Sequence, residues 1–247
     1  LILHESADRL RVELHRPEVR NAINEEMVDE LHTVCARLER EPRILILTGS
    51  ATPERGVFAA GADIRQLLER GRDEALTGIN SGLFARIARL PMPVIAAVDG
   101  FAIGGGAELA YAADIRLASA RVVFGNPATA IGILAAAGAT WRLAELVGEP
   151  LAKEILFTGR RLNAEEALRC GLVAAVHEPE QLLAAADALA DRIAAQDPLA
   201  IRITKRVLAA PRDAHPLVDE LAQAILFESE AKTQLMTRFL DRPQETR

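Results

Sequence analysis

Aromatic residues are scarce in this 247-residue chain: one tryptophan, one tyrosine and seven phenylalanines, 4% in all. Stacking surfaces for nucleic-acid bases need aromatics interleaved with basic side chains, and no such stripe occurs. The formal charge of -6 removes the electrostatic footprint as well, so nucleic acid is not an expected partner. The basic pairs Arg160/Arg161 and Lys205/Arg206 read as solvated helix faces. Cysteine is nearly absent: Cys35 and Cys170 stand far apart, without a CxxC pattern or a histidine partner, which suits a reducing, cytoplasmic setting. The histidines at 4, 15, 32, 177 and 215 show no HExxH pattern or ligand clustering, so no metal is expected. GxGxxG, GxxxxGK[ST] and GxSxG are all missing, and LILHESADRL at the start is neither a secretory signal nor a basic amphipathic transit sequence. One stretch imitates a membrane span, the charge-free run 122–141. It carries Asn126, Pro127 and three glycines, and small residues outnumber large apolar ones, so it reads as buried core and no membrane is expected.

Half of the chain is hydrophobic and 26% is charged, the balance of a folded protein with a sizeable core. LILHE and LRVEL flank a short polar turn and predict a hairpin over 1–15. A helix follows, with Asn24 as N-cap and Met27, Leu31, Val34 and Leu38 at helical spacing. RILILT (43–48), PVIAAV (93–98) and DIRLAS (114–119) are buried-strand runs alternating with helices, which implies an α/β class with a largely parallel sheet. LNAEEALRCG (162–171) predicts a helix with an Asn163/Glu166 capping box and a Gly171 stop, followed by a strand LVAAV. Beyond Pro179 the pattern is three amphipathic helices. The expected division is an α/β core over 1–178 and a C-terminal helical region over 179–247.

Two junctions stand out, VFAAGADI (57–64) and DGFAIGGGAELA (99–110), each small, glycine-containing and entering a predicted helix. Helix starts present unpaired N–H groups and a partial positive charge, so two of them together can bind an oxyanion. Close packing of helix on sheet demands the same small residues, and the pattern alone favours that plainer reading. Glu108, the one carboxylate in its stretch, can cap a free N–H at N3 or act as a general acid/base beside the oxyanion site. The pattern does not separate these two.

The whole chain nevertheless resembles the crotonase superfamily, the enoyl-CoA hydratase/isomerase family. The resemblance rests on RPEVRNAIN (16–24), VFAAGADI (57–64), PVIAAVDGFAIGGGAELAYAADIRLAS (93–119), FGNPATAIGI (124–133) and ILFTGRRLNAEEALRCGLV (155–173), in that order. It implies a crotonase-like ββα spiral core, with the helical region serving as trimerisation and lid element. Family members polarise the carbonyl of an acyl-CoA thioester with two backbone N–H groups, which match Ala62 and Gly105. One catalytic glutamate matches Glu108. The second, which exchanges a proton with the α-carbon, falls where this chain has Ala128, and an aspartate position used by some relatives falls on Ala136. The segment GILAAAGATWRL (132–143) also departs from the family pattern.

By the same resemblance, the coenzyme A portion lies against Arg20, Ala22, Ala60, Asp63, Ile64 and Gly104, with Arg65 and Lys205 as further phosphate candidates. For Asp63 a helix-start role is favoured. No cofactor is implied, because coenzyme A belongs to the substrate, and a homotrimer or a hexamer of paired trimers is expected. The implied activity is hydration of a 2-enoyl-CoA, impaired or altered by Ala128. Its rivals are other crotonase chemistry (thioester hydrolysis, decarboxylation, isomerisation) and a catalytically silent acyl-CoA-binding oligomer.

Overall fold

The continuous apolar runs become the buried centre of a sheet. A computed structural model describes residues 1–51 and 56–241 and contains ten strands: β1 (Ile2–Glu5), β2 (Arg9–Leu14), β3 (Ile44–Ala51), β4 (Gly56–Ala59), β5 (Val94–Val98), β6 (Phe101–Ile103), β7 (Ile115–Ser119), β8 (Val123–Gly125), β9 (Arg161–Leu162) and β10 (Ala175–His177). The helices are α1 (Glu25–Arg40), α2 (Ile64–Glu69), α3 (Arg72–Thr77), α4 (Ile79–Ala88), α5 (Gly105–Tyr111), α6 (Ala144–Val147), α7 (Glu149–Thr158), α8 (Ala164–Arg169), α9 (Leu182–Ala194), α10 (Pro198–Leu208), α11 (Leu217–Phe227) and α12 (Glu230–Leu240). Ile44 to Leu47 are all buried, as expected of a strand covered on both faces, and β3 runs parallel to β2 on one side and β5 on the other. Parallel pairing continues through β7 to β10.

At its far end β3 turns into a second layer. Ser50 and Ala51 pair antiparallel with β4, and β4, β6 and β8 then run parallel, closed by antiparallel β9. This layer carries both glycine junctions, because VFAAGADI leaves β4 and GFAIGGG leaves β6.

The hairpin forms as predicted, with Leu10, Val12 and Leu14 of β2 buried on one face. Asn24 caps α1 by accepting from Met27 N–H at 3.1 Å, and the capping box of α8 is present. Three expectations change. The strand predicted as LVAAV begins only at Ala175: Gly171 takes φ +78° and turns the chain, and Leu172 O is held by Arg116 Nε at 2.7 Å. The third C-terminal amphipathic stretch is two helices, α11 and α12, split where Ser229 caps α12 by accepting from Lys232 N–H. The charge-free run is not uniformly core, since residues 129–134 are exposed on a short 3-10 turn and the loop after it.

Two compact units make up the chain, Leu1–Arg192 and Ile193–Arg247, with the boundary inside α9. The reason is visible in α9: Leu182, Ala186 and Ala190 are buried at four-residue spacing, and Arg9 of β2 reaches Asp187 O at 2.8 Å and pairs with the Asp191 carboxylate. In the second unit α11 and α12 leave Leu217, Leu221, Ile225, Leu235, Phe239 and Leu240 exposed. The segment KTQLMTRFLDRP lies on α12 and Asp241, apart from Arg242 and Pro243, which fall outside the described residues.

No described helix is long and apolar enough to cross a membrane.

Candidate active site

The first junction is shaped by Asn21, fully buried at φ +54°. Its Nδ2 donates to Val57 O at 2.8 Å and its Oδ1 accepts from Arg16 N–H at 2.8 Å, fixing residues 20–23 along the outgoing end of β4. Ala60 N–H then donates to Arg20 O, Ile23 N–H to Gly61 O and Asp63 N–H to Ile23 O, at 3.0, 2.8 and 2.9 Å. In this isolated parallel bridge alternate N–H groups face opposite edges. The Ala62 N–H therefore points away from Ile23, and no described residue accepts from it. Asp63 caps α2 through Arg65 N–H at 3.1 Å and sits 3.6 Å from Arg16 Nη1. Because Asp63 is the N-cap, Ala62 precedes the helix, and its free N–H comes from the edge of the bridge instead of a helix start.

At the second junction each glycine answers a different demand. Gly104, at φ +53° and ψ -122°, holds a conformation closed to residues with a Cβ. A Cβ on Gly106 would lie 2.1 Å from Ala59 O, so α5 packs there directly on β4 backbone. A Cβ on Gly105 would instead lie 3.3 Å from Ala62 N. Close packing thus accounts for Gly106 and leaves Gly105 facing Ala62. The Gly105 N–H is the first of α5, and no described residue accepts from it either. Ala60, Ala62, Gly104 and Gly105 are half-buried, between the buried Ala59, Gly61 and Gly106, so this strip is open to a ligand.

Glu108 lies four residues beyond the Gly104 cap and does not cap its own helix. The residue is 4% exposed, and its Oε1 accepts from Ala137 N–H at 2.8 Å and Ala139 N–H at 3.1 Å. Burial pushes its pKa up to about 7, against the opposing pull of the two N–H groups. A buried carboxyl poised near neutrality, one helical turn from an unpaired N–H, is able to exchange protons with a substrate bound there.

Ala128 opens the 3-10 turn after β8 and presents only a methyl group. Ala136 is exposed. Of the residues assigned to coenzyme A, Arg20, Ala22, Ala60 and Asp63 meet along the bridge, Ile64 is exposed at the start of α2, and Gly104 belongs to the second junction. Arg65 is exposed on α2, and Lys205 lies on α10 in the second unit. Two residues carry more than the sequence reading gave them. Asn126 Nδ2 donates to Gly104 O at 3.2 Å, and its Oδ1 accepts from Tyr111 OH at 2.9 Å. Burial, then the Glu108 charge, raises the Tyr111 pKa, so its hydroxyl stays a donor. The chain's one tyrosine, at helical spacing from Glu108, was the available signal.

The sequence profile of the family described as enoyl-CoA hydratase/isomerase matches residues 5–244. The chain is 37% identical to the short-chain-enoyl-CoA hydratase of Clostridium acetobutylicum, over 94% of this chain and 87% of that protein. It is 35% identical to the crotonyl-CoA hydratase of Syntrophomonas wolfei, over 98% and 95% respectively. A crystal structure of enoyl-CoA hydratase from Bacillus anthracis superposes with a TM-score of 0.91 at 28% identity, covering 97% of this chain and 95% of that one.

Proposed function

Because the chain belongs to the enoyl-CoA hydratase/isomerase family, we propose that it acts on acyl-CoA thioesters and adds water across the double bond of a 2-enoyl-CoA. The observation that carries this reading is the buried Glu108, with a pKa of about 7, one helical turn from the unpaired Gly105 N–H. The thioester oxygen accepts from Ala62 and Gly105 N–H. Ionised Glu108 takes a proton from water while the water oxygen bonds to C3 and the π electrons move onto the thioester oxygen. The resulting enolate collapses, and C2 takes the proton back from Glu108. The hydroxyl ends at C3 and the proton at C2, on one face, because one carboxylate serves both steps. Preorganised N–H donors are worth most at this enolate, where charge develops.

With alanine at 128, Glu108 carries both proton transfers in succession. A positioned acid/base contributes typically about 10²- to 10⁴-fold, so turnover is expected to fall short of a two-carboxylate site by a factor in that range. Ala128 also favours a second reading, chemistry that needs the oxyanion site but fewer acids: thioester hydrolysis, decarboxylation, isomerisation, or acyl-CoA binding without turnover. Coenzyme A is part of the substrate in each. The half-buried strip from Ala60 to Asp63 suits its thioester end, and the exposed Arg20 suits a phosphate. The exposed apolar residues of α11 and α12 support assembly into a trimer or a pair of trimers, which light scattering tests. The free thiols of Cys35 and Cys170 suit the cytoplasm.

Incubation with 2-enoyl, 3-enoyl, saturated and malonyl-type CoA thioesters, followed by mass spectrometry, separates these readings. The expected product is the 3-hydroxyacyl-CoA, lost in Glu108→Ala. Hydration undiminished in Glu108→Ala would overturn the assignment.

A further inference from the structure

Asn80 lies in the first turn of α4, and its side chain makes no hydrogen bond to any described residue. Its Oδ1 is closed to solvent and unpaired, while its Nδ2 lies 3.7 Å from the point a Cβ on Gly105 would occupy. Ala62 N lies 3.3 Å from that same point. The missing side chain of Gly105 thus opens a space bounded by a backbone donor on one side and a carboxamide donor on the other. Asn80 is half-buried and only its Oδ1 is the buried, unpaired atom; buried polar atoms in folded proteins are nearly always paired, so a carboxamide that the fold leaves without a partner beside a candidate site calls for an explanation.

We propose that Asn80 is a third oxyanion donor, its Nδ2 directed at the thioester oxygen alongside the Ala62 and Gly105 N–H groups; this rests on the oxyanion reading given above. No acceptor within the described chain answers the three donors, and an incoming oxygen that gains negative charge satisfies all of them together. Since Oδ1 has no donor of its own, no described residue fixes the amide by a hydrogen bond, and the substrate oxygen supplies the ordering contact. A donor of this kind strengthens as the enolate forms, so it acts mainly on kcat and little on KM.

The test uses the full-length chain and 4-dimethylaminocinnamoyl-CoA, a chromophoric thioester whose absorption moves to longer wavelength when its carbonyl is polarised. With saturating probe and circular dichroism to confirm folding, the red shift should fall in the order wild type, Asn80→Leu, Asn80→Asp, because the aspartate sets a carboxylate against the oxyanion. Hydration kcat in Asn80→Leu should drop about 10- to 100-fold with KM little changed. Asn80→Asp, the closer isostere, carries the comparison should Asn80→Leu fail to fold. An undiminished red shift in either folded variant overturns the role of Asn80 and leaves Ala62 and Gly105 standing. A wild-type protein that shows no red shift, or does not take up the probe, overturns both.

Discussion

Replacing Glu108 by glutamine should stabilise the protein at alkaline pH while abolishing its chemistry. Glu108 is 4% exposed, and burial raises its pKa from 4.5 to about 7. That gap corresponds to about 3 kcal/mol of preference for the neutral acid in the folded state. Below pH 4.5 the group is protonated in both folded and unfolded chains and contributes no penalty. As pH rises the unfolded chain ionises first, so the wild type loses stability progressively until the folded carboxyl also ionises near 7. Above that pH the loss is complete and constant. Glutamine keeps an oxygen for the Ala137 and Ala139 N–H groups but has no proton to lose. The difference in unfolding free energy between Glu108→Gln and wild type should therefore grow in favour of the variant by about 2.5 kcal/mol between pH 5 and pH 9. Urea titrations of both proteins at fixed chain concentration, at several pH values across that window, measure it. Parallel pH profiles would refute the reasoning, since they would mean that the folded carboxyl ionises at its ordinary pKa and that the two N–H groups fully offset burial.

The same ionisation should appear in the kinetics: kcat/KM for hydration should rise with pH through about 7, following the carboxylate that takes the proton from water, as initial rates across a pH series would show. Gly105→Ala and Gly106→Ala should fail in opposite ways. The first puts a methyl 3.3 Å from Ala62 N and should cost about 10²- to 10³-fold in kcat/KM with little change in melting temperature; the second drives a methyl to 2.1 Å from Ala59 O and should cost about 3 kcal/mol or more of stability by denaturant unfolding. Asn126→Ala strips Tyr111 OH and Gly104 O of a partner and should destabilise by about 2 to 5 kcal/mol in the same assay. Ala128→Glu should raise hydration by about 10²-fold or more in the thioester assay; no gain would indicate a pocket already committed to other chemistry.

The sheet was legible because its central strands are continuous apolar runs bounded by turn residues, and β3, β5 and β7 lie where RILILT, PVIAAV and DIRLAS predicted them. The split between α11 and α12 was less visible, since the apolar pattern continues across Ser229 and only the cap geometry divides it. At the glycines the pattern was ambiguous for a physical reason: close packing and substrate access both exclude a side chain, and only the distances to Ala59 O and Ala62 N tell Gly106 from Gly105. The role of Glu108 depended on what faces it from residues 137–139, which no local pattern encodes. Nothing local marks Ala62, because its free N–H arises from pairing with Ile23, distant in sequence, and not from the helix start that the junction suggests.

The segment GILAAAGATWRL supplies the two donors that hold Glu108, and they are the backbone N–H groups of Ala137 and Ala139. A contact made by the main chain survives a change of side chain so long as the path of the chain is kept. Ala62 and Gly105 belong to the same class, since any residue whose side chain fits can present its N–H there. A proton-transfer group at position 128 would be the opposite case, because its chemistry would lie wholly in the side chain. On the proposed mechanism, alanine at 128 leaves one proton-transfer group beside the two backbone donors. The structure holds two unpaired N–H groups and one carboxyl of pKa about 7, close enough to neutral to be found in either protonation state. Such a group can take a proton in one step and return it in the next, which is the minimum that adding water to an enoyl thioester requires.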